Sequence, residues 1–243
     1  MKIETIRYQA GEVTARSTLI YDSDTTATRP LLLVSSNWLG MTYESIQRAA
    51  KLAGSKYVVL LVDMYGHGKA ATKSAEIVEQ ANALRADVRE RRRRMAAGLE
   101  ALISASEERR IGDLGRKAAV GFCFGGGNVL ELARDGADLS AAVCVHGDLL
   151  TPQRAKGGDV KAPVFVLHGA ADPVVTKAAR DAFEDEMTAA GAKWQMMTFG
   201  KVLHSFSEEE TNVPGISHFD PGAASQTYKM IDDYLATALD GLL

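Results

Sequence analysis

Only two cysteines, Cys123 and Cys144, occur in the 243-residue sequence. Both lie in apolar runs that read as strands, so the sequence carries no disulfide framework, and a reducing, cytoplasmic setting is expected. An excess of one charge is lacking too. A formal net charge of -3 gives no general electrostatic attraction to nucleic acid or to a membrane surface. No apolar run approaches the about 20 residues of a membrane span. Met1-Lys2-Ile3-Glu4 leads into alternating residues rather than the apolar core of a signal peptide. There is no internal repeat, no low-complexity linker and no Gly-Lys-Ser/Thr of a phosphate-binding loop. His67, His146 and His168 fall in different loops and strands without local ligand spacing. No metal site and no cofactor is therefore expected.

What is present is ordinary globular composition, 46% hydrophobic and 24% charged. The length suits one large α/β domain or two small ones, and the pattern favours a single domain over residues 1–243. Residues 2–21 alternate as two short strands around Ala10-Gly11-Glu12, within an N-terminal segment 1–27. Leu31–Val34 and Lys56–Asp63 are continuous apolar runs, as expected of strands buried on both faces. Between them Thr42 can cap a helix over 43–52 that Gly54 closes. Residues 73–106 read as two helices or one bent helix. Further strands are expected at 141–147, 163–168 and 194–199, and helices at 176–190 and 222–241. Trp194–Phe199 reads as the last strand. Residues 207–221 form a polar excursion or lid. Strands alternating with helices predict an α/β fold with a mainly parallel central sheet and helices on both faces.

The chain is organised around Ala118-Ala119-Val120-Gly121-Phe122-Cys123-Phe124-Gly125-Gly126. An apolar strand ends in Gly-x-Cys-x-Gly-Gly and passes at once into helical periodicity from Asn128. That is the build of a nucleophile elbow, whose central residue sits in strained backbone while flanking glycines let neighbouring chain pass close. A thiolate at Cys123 would face a helix N-terminus, whose partial positive charge favours an anion. Read alone, the stretch also fits a core cysteine or a phosphate-binding turn. An elbow, however, demands an acid and then a base later in the chain. Asp172 follows one strand and His204 the next, both at the C-terminal edge that Cys123 occupies. His168 precedes the acid, so its order is wrong, and His218 has no strand to position it.

At Gly121-Phe122-Cys123-Phe124-Gly125-Gly126, His168-Gly169-x-x-Asp172-Pro173 and His204-Ser205-Phe206 the chain resembles the dienelactone hydrolase family of α/β-hydrolases. Asp63-Met64-Tyr65 and Asn37-Trp38-Leu39-Gly40 match the same plan, and the resemblance spans roughly residues 28–240. It implies an α/β-hydrolase fold, Cys123 as nucleophile, Asp172 as acid, His204 as base, and an oxyanion hole built from the backbone N–H groups of Trp38 and Phe124. Two departures stand out. Asn37 occupies the place of a thiol-modulating Glu, and Ser207-Glu208-Glu209-Glu210 replaces a segment with a carboxylate-binding Arg. An acidic run there repels a carboxylate.

The expected activity is hydrolysis of small esters, lactones or thioesters through an acyl-cysteine, by a monomer or homodimer with small-molecule substrates and no nucleic-acid or membrane partner. The alternative is a non-catalytic hydrolase-fold protein that binds a small ligand or partner in the same cleft. Arg85, Arg89 and Arg91–Arg94, interspersed with Asp87, Glu90 and Glu100, read as a solvated, ion-paired helix face rather than a nucleic-acid site.

Overall fold

The order of the chain and the two-sided apolar character of its inner strands fix the architecture. In the structure, a computed structural model that describes residues 1–66, 68 and 75–243, β1 (Lys2–Ala10) and β2 (Val13–Tyr21) form an antiparallel hairpin. Next come β3 (Arg29–Ser35), α1 (Tyr43–Ala53) and β4 (Val58–Leu61). Helices α2 (Ala75–Ala86) and α3 (Val88–Arg109) lead to β5 (Gly112–Phe122) and α4 (Phe124–Arg134). The chain continues through β6 (Ala141–Val145), β7 (Val164–Gly169), α5 (Lys177–Ala189) and β8 (Trp194–Phe199). A small ribbon, β9 (Asn212–Val213) with β10 (Ser217–His218), precedes α6 (Pro221–Leu239).

The main sheet has the order β1-β2-β4-β3-β5-β6-β7-β8. Pairing is antiparallel from β1 to β4 and parallel from β4 through β8. Strand β3 shows why its run is continuously apolar. Leu31 and Leu33 join one core with α2, α3, α4 and α5, while Leu32 and Val34 join the other with α1 and α6. Since β4 flanks β3 on one side and β5 on the other, the connections diverge there. Loops leaving the C-terminal ends of β3 and β5 open a crevice at such a switch point.

Local signals fixed most boundaries. Thr42 Oγ1 accepts the Ser45 N–H at 3.0 Å at the start of α1, and Gly54 closes that helix. The expected stretch 73–106 is two helices, divided at Asp87, which caps α3 by accepting the Glu90 N–H at 3.0 Å; residues 73 and 74 lie outside the described residues. Two expectations are corrected. Strand β5 starts at Gly112, well before the apolar run, because its polar first half pairs with the start of β3 across a register shift between Pro30 and Leu31. Nor is Trp194–Phe199 the last strand. The 207–221 segment contains β9 and β10, each only two residues long and so too short to show alternation.

Candidate active site

Where β5 turns into α4, Cys123 adopts φ 52° and ψ -120°, a left-handed backbone that costs energy for any residue with a Cβ. Glycine is required on both sides. A Cβ at Gly121 would lie 2.0 Å from the Gly125 carbonyl oxygen, and one at Gly125 would lie 2.0 Å from that of Ser35. The turn thus holds Sγ above the sheet edge, with the first turn of α4 behind it.

The structure brings Cys123, His204 and Asp172 together. His204 Nε2 lies 3.2 Å from Cys123 Sγ, and His204 Nδ1 lies 2.7 Å from Asp172 Oδ2. Asp172 is itself fixed, since its Oδ1 accepts the N–H groups of Val174 and Val175 at 2.8 and 2.9 Å. Burial pushes the Asp172 carboxyl up, but the hydrogen bond and charge of His204, together with the Val175 and Val174 N–H groups, outweigh it and hold the carboxyl below its usual range. Burial likewise disfavours a charged His204, yet the hydrogen bonds to Asp172 and Cys123 prevail and raise the imidazole to about 10. The backbone of His204 is held by the ribbon segment: its N–H donates to Ile216 O at 3.2 Å and its carbonyl accepts from His218 N–H at 3.1 Å. His218 therefore does sit on a strand, contrary to expectation, but its ring faces Asn212 Oδ1 at 3.3 Å. His168 is buried in β7 and is pushed down to about 4, mainly by burial.

One buried histidine beside the elbow has a structural part that its sequence position does not assign. His146, at φ 39° after β6, accepts the Cys123 backbone N–H on Nδ1 at 3.2 Å. Its Nε2 lies 2.8 Å from Ser207 Oγ. A His-Gly pair closing a small-residue strand beside the elbow was the signal available. His67 lies outside the described residues.

On the opposite wall, the loop after β3 carries Asn37 and Trp38. Asn37 Oδ1 accepts the Leu39 N–H at 3.0 Å, and Tyr65 Oη donates to the Trp38 carbonyl at 2.8 Å. Phe124 is the first residue of α4, so no carbonyl within the helix can take its N–H. Between the walls lies a cleft of about 730 Å³, lined by Trp38, Cys123 and His204 among others.

The dienelactone hydrolase family matches residues 17–239. The chain belongs to this family. A dienelactone hydrolase-like promiscuous phosphotriesterase from metagenomic libraries shares 30% identity and superposes with a TM-score of 0.88, covering 98% of each chain. A dienelactone hydrolase from Anabaena variabilis, 19% identical with a TM-score of 0.69 over 98% of each chain, has the same fold. An uncharacterized protein of Caenorhabditis elegans is 32% identical over 145 residues, which are 58% of this chain and 91% of that one. The protein is accordingly a dienelactone hydrolase-like enzyme with an α/β-hydrolase fold, and no helix among the described residues is long and apolar enough to cross a membrane.

Within that family frame the two departures meet in space. Asn37 Nδ2 donates to Glu208 Oε1 at 3.0 Å, and the Glu208 carboxylate lies 3.3 Å from Arg48 Nη1. Arg48 Nη2 also reaches Glu210 at 2.8 Å. The acidic run is thus partly neutralised by a cation from α1. Burial raises the Glu208 carboxyl nonetheless, with Arg48 offsetting only part. The arginine-rich helix face is ion-paired as expected but solvated only in part, since Arg85, Arg92 and Arg94 are half-buried and Arg91 departs furthest. Arg92 pairs with Glu131 at 2.9 Å and Arg94 with Glu90 at 2.6 Å, but Arg91 is buried at 2% exposure. It donates to Asn128 Oδ1 and to the Phe124 carbonyl, so it props α4 rather than meeting solvent. Arg85 lines the cleft, with its Nε 2.8 Å from Asp148 Oδ2.

Proposed function

We propose that the protein hydrolyses small, uncharged carboxylic esters, lactones or thioesters through an acyl intermediate on Cys123. The observation that carries this reading is the unbroken line Asp172–His204–Cys123, with contacts of 2.7 and 3.2 Å. A protonated imidazole held beside sulfur is the partner that a thiolate nucleophile needs. Sγ attacks the carbonyl carbon, a C–S bond forms, and the carbonyl π electrons move onto oxygen. The N–H groups of Trp38 and Phe124 receive that oxyanion. Each such donor is worth about 3–4 kcal/mol of barrier. Collapse breaks the bond to the leaving group, which takes the proton from His204 Nε2. Water then gives a proton to His204 and attacks the acyl carbon. The C–S bond breaks, and the carboxylic acid leaves.

The cleft supports an uncharged substrate. Glu44, Glu208 and Glu210 line it, with Arg48 from α1 against the last two, while the lining guanidinium of Arg85 is engaged by Asp148 and the charge of His204 faces Cys123 and Asp172. Val78, Val174, Val213 and Ile216 at its rim are 46–52% exposed and offer apolar surface to an acyl or alkyl group. A carboxylate-bearing lactone finds repulsion instead. The phosphotriesterase among the similar structures makes an uncharged phosphotriester a second class for this nucleophile. The oxyanion donors would then meet a phosphoryl oxygen.

Intact-mass spectrometry during turnover of p-nitrophenyl acetate and a short-chain acyl thioester tests the mechanism. A transient acetyl adduct on the wild type, absent from Cys123→Ala together with turnover, is the expected result. Retained turnover in Cys123→Ala at normal fold would reject it. A phosphorylated adduct from a triester, formed faster than the acetyl adduct, would move the assignment to the second class.

A further inference from the structure

Glu208 sits at the junction of the two loops on which the proposed chemistry depends. It lies four residues after His204, and its backbone N–H donates to the Ser205 carbonyl at 3.0 Å, so the carboxylate is anchored to the loop that carries the base. Its side chain crosses to the other wall, where Oε1 takes the Asn37 Nδ2 hydrogen bond at 3.0 Å. The same Asn37 amide accepts the Leu39 N–H through Oδ1 at 3.0 Å. Trp38 lies between the two ends of that Asx turn, and its carbonyl is pinned from the far side by Tyr65 Oη at 2.8 Å. These contacts fix the peptide after Trp38; the peptide that carries the Trp38 N–H is held through its own carbonyl, since Asn37 O accepts the Gly40 N–H at 3.1 Å and the Ser36 hydroxyl at 3.3 Å. Glu208 is 1% exposed and Asn37 5%, so water does not compete for the bond between them.

We propose that Glu208 is a positioning residue: through Asn37 it holds the Trp38 loop at the spacing from Cys123 and His204 at which the Trp38 N–H meets the oxyanion. This rests on the acyl-cysteine reading above. It also gives Asn37 a part that needs no exchangeable proton. The neutral amide uses both ends, one to receive the loop and one to donate to Glu208, whereas a carboxylate at 37 would face Glu208 as a like charge. Arg48 holds the rear of the Glu208 carboxylate and so keeps a charge buried here at tolerable cost.

Two reactions of the same thiol separate this role from its rivals. Acylation passes through an oxyanion; alkylation by iodoacetamide, at a saturated carbon, does not. Misplacing one donor costs about 10²-fold. Glu208→Ala is therefore expected to slow acylation by p-nitrophenyl acetate about 100-fold and to leave alkylation rates within about twofold from pH 6 to 9. Glu208→Gln, whose amide oxygen still accepts from Asn37, is expected to recover most of that loss. Asn37→Ala should match Glu208→Ala, and the double variant should lose no more than Asn37→Ala alone, since both act through one bond. Thermal unfolding of each variant verifies the fold, and Asn37→Ala carries the test if Glu208→Ala does not fold. Wild-type acylation in Glu208→Ala would overturn the proposal. So would alkylation falling in parallel with acylation, which marks an electrostatic effect on the thiol, or multiplied losses in the double variant. A wild type that alkylates but never acylates would reject the acyl-cysteine reading as well, and is distinguished by that.

Discussion

His146 Nδ1 accepts the backbone N–H of Cys123 at 3.2 Å while its Nε2 meets Ser207 Oγ at 2.8 Å, so one ring ties the elbow to the loop that carries His204. An acceptor at Nδ1 requires a neutral ring with the proton on Nε2. Complete burial, with the charge near His204 and Arg48, pushes His146 well below the usual 6.5. His168 is pushed down to about 4. Both bases are more readily protonated in the unfolded chain. Stability is therefore expected to fall as pH drops below about 6.5, by up to ~1.4 kcal/mol per pH unit for each ring. The lowered Asp172 carboxyl adds to this loss at lower pH. Urea unfolding from pH 7.5 to 4.5 reads the slope. His168→Leu should flatten it by about one proton's worth between pH 6.5 and 4; an unchanged slope would contradict the buried neutral ring.

The proton on His204 has the opposite sign. Its folded value is raised to about 10 against the usual 6.5, chiefly by Asp172 and Cys123 against burial. The stability this adds is full below pH 6.5 and is lost as pH rises through about 10. Leaving-group protonation follows the same ionisation. Asp172→Asn removes the first of the raising contacts, so the alkaline limb of kcat/KM should move to lower pH, with a loss of about 10²–10⁴ in rate. A pH–rate profile with an unmoved limb would separate Asp172 from the base.

These groups were unequally legible. Cys123, Asp172 and His204 could be read because chain order and strand-end placement are linear properties, and because glycine spacing around Cys123 reports backbone strain. Thr42 and Gly54 mark helix ends for the same local reason. His146 and Glu208 could not be assigned roles. Their partners lie 23 and 171 residues away, at Cys123 and Asn37, and no local spacing encodes such a contact. In sequence Glu208 reads as an unpaired charge, because its partner Arg48, on α1, lies 160 residues earlier in the chain. The ribbon β9–β10 escaped because a two-residue strand has no period.

The elbow's glycines make a sharper stability test than their number suggests. At Gly125 a methyl group would meet the Ser35 carbonyl oxygen at 2.0 Å, backbone against backbone, where nothing flexible can yield. Gly125→Ala is expected to lose at least about 3 kcal/mol, or to fail to fold. Gly157 has no neighbour within 4 Å, and Gly157→Ala should stay within about 0.5 kcal/mol. Paired chemical denaturation measures both, and equal effects would mean that β3 and α4 do not approach as described.

Arg91 and Arg89 stand two positions apart on α3, and their fates separate a structural cation from a surface one. Arg89 is exposed, whereas Arg91 reaches under α4 to Asn128 and the Phe124 carbonyl, with Asp148 3.4 Å away as its charge partner. Burial lowers its guanidinium from the usual value despite that carboxylate. Truncation leaves Asn128 and Asp148 without this donor beneath the helix that begins at the elbow. Arg91→Ala is therefore expected to cost about 3–5 kcal/mol and Arg89→Ala no more than about 0.5, both read by urea denaturation. Were the arginine run a phosphate-binding face, the two variants would instead weaken oligonucleotide binding alike, reduce its salt slope and leave stability untouched. Unequal stability with no salt-dependent binding assigns the run to the architecture that supports the elbow.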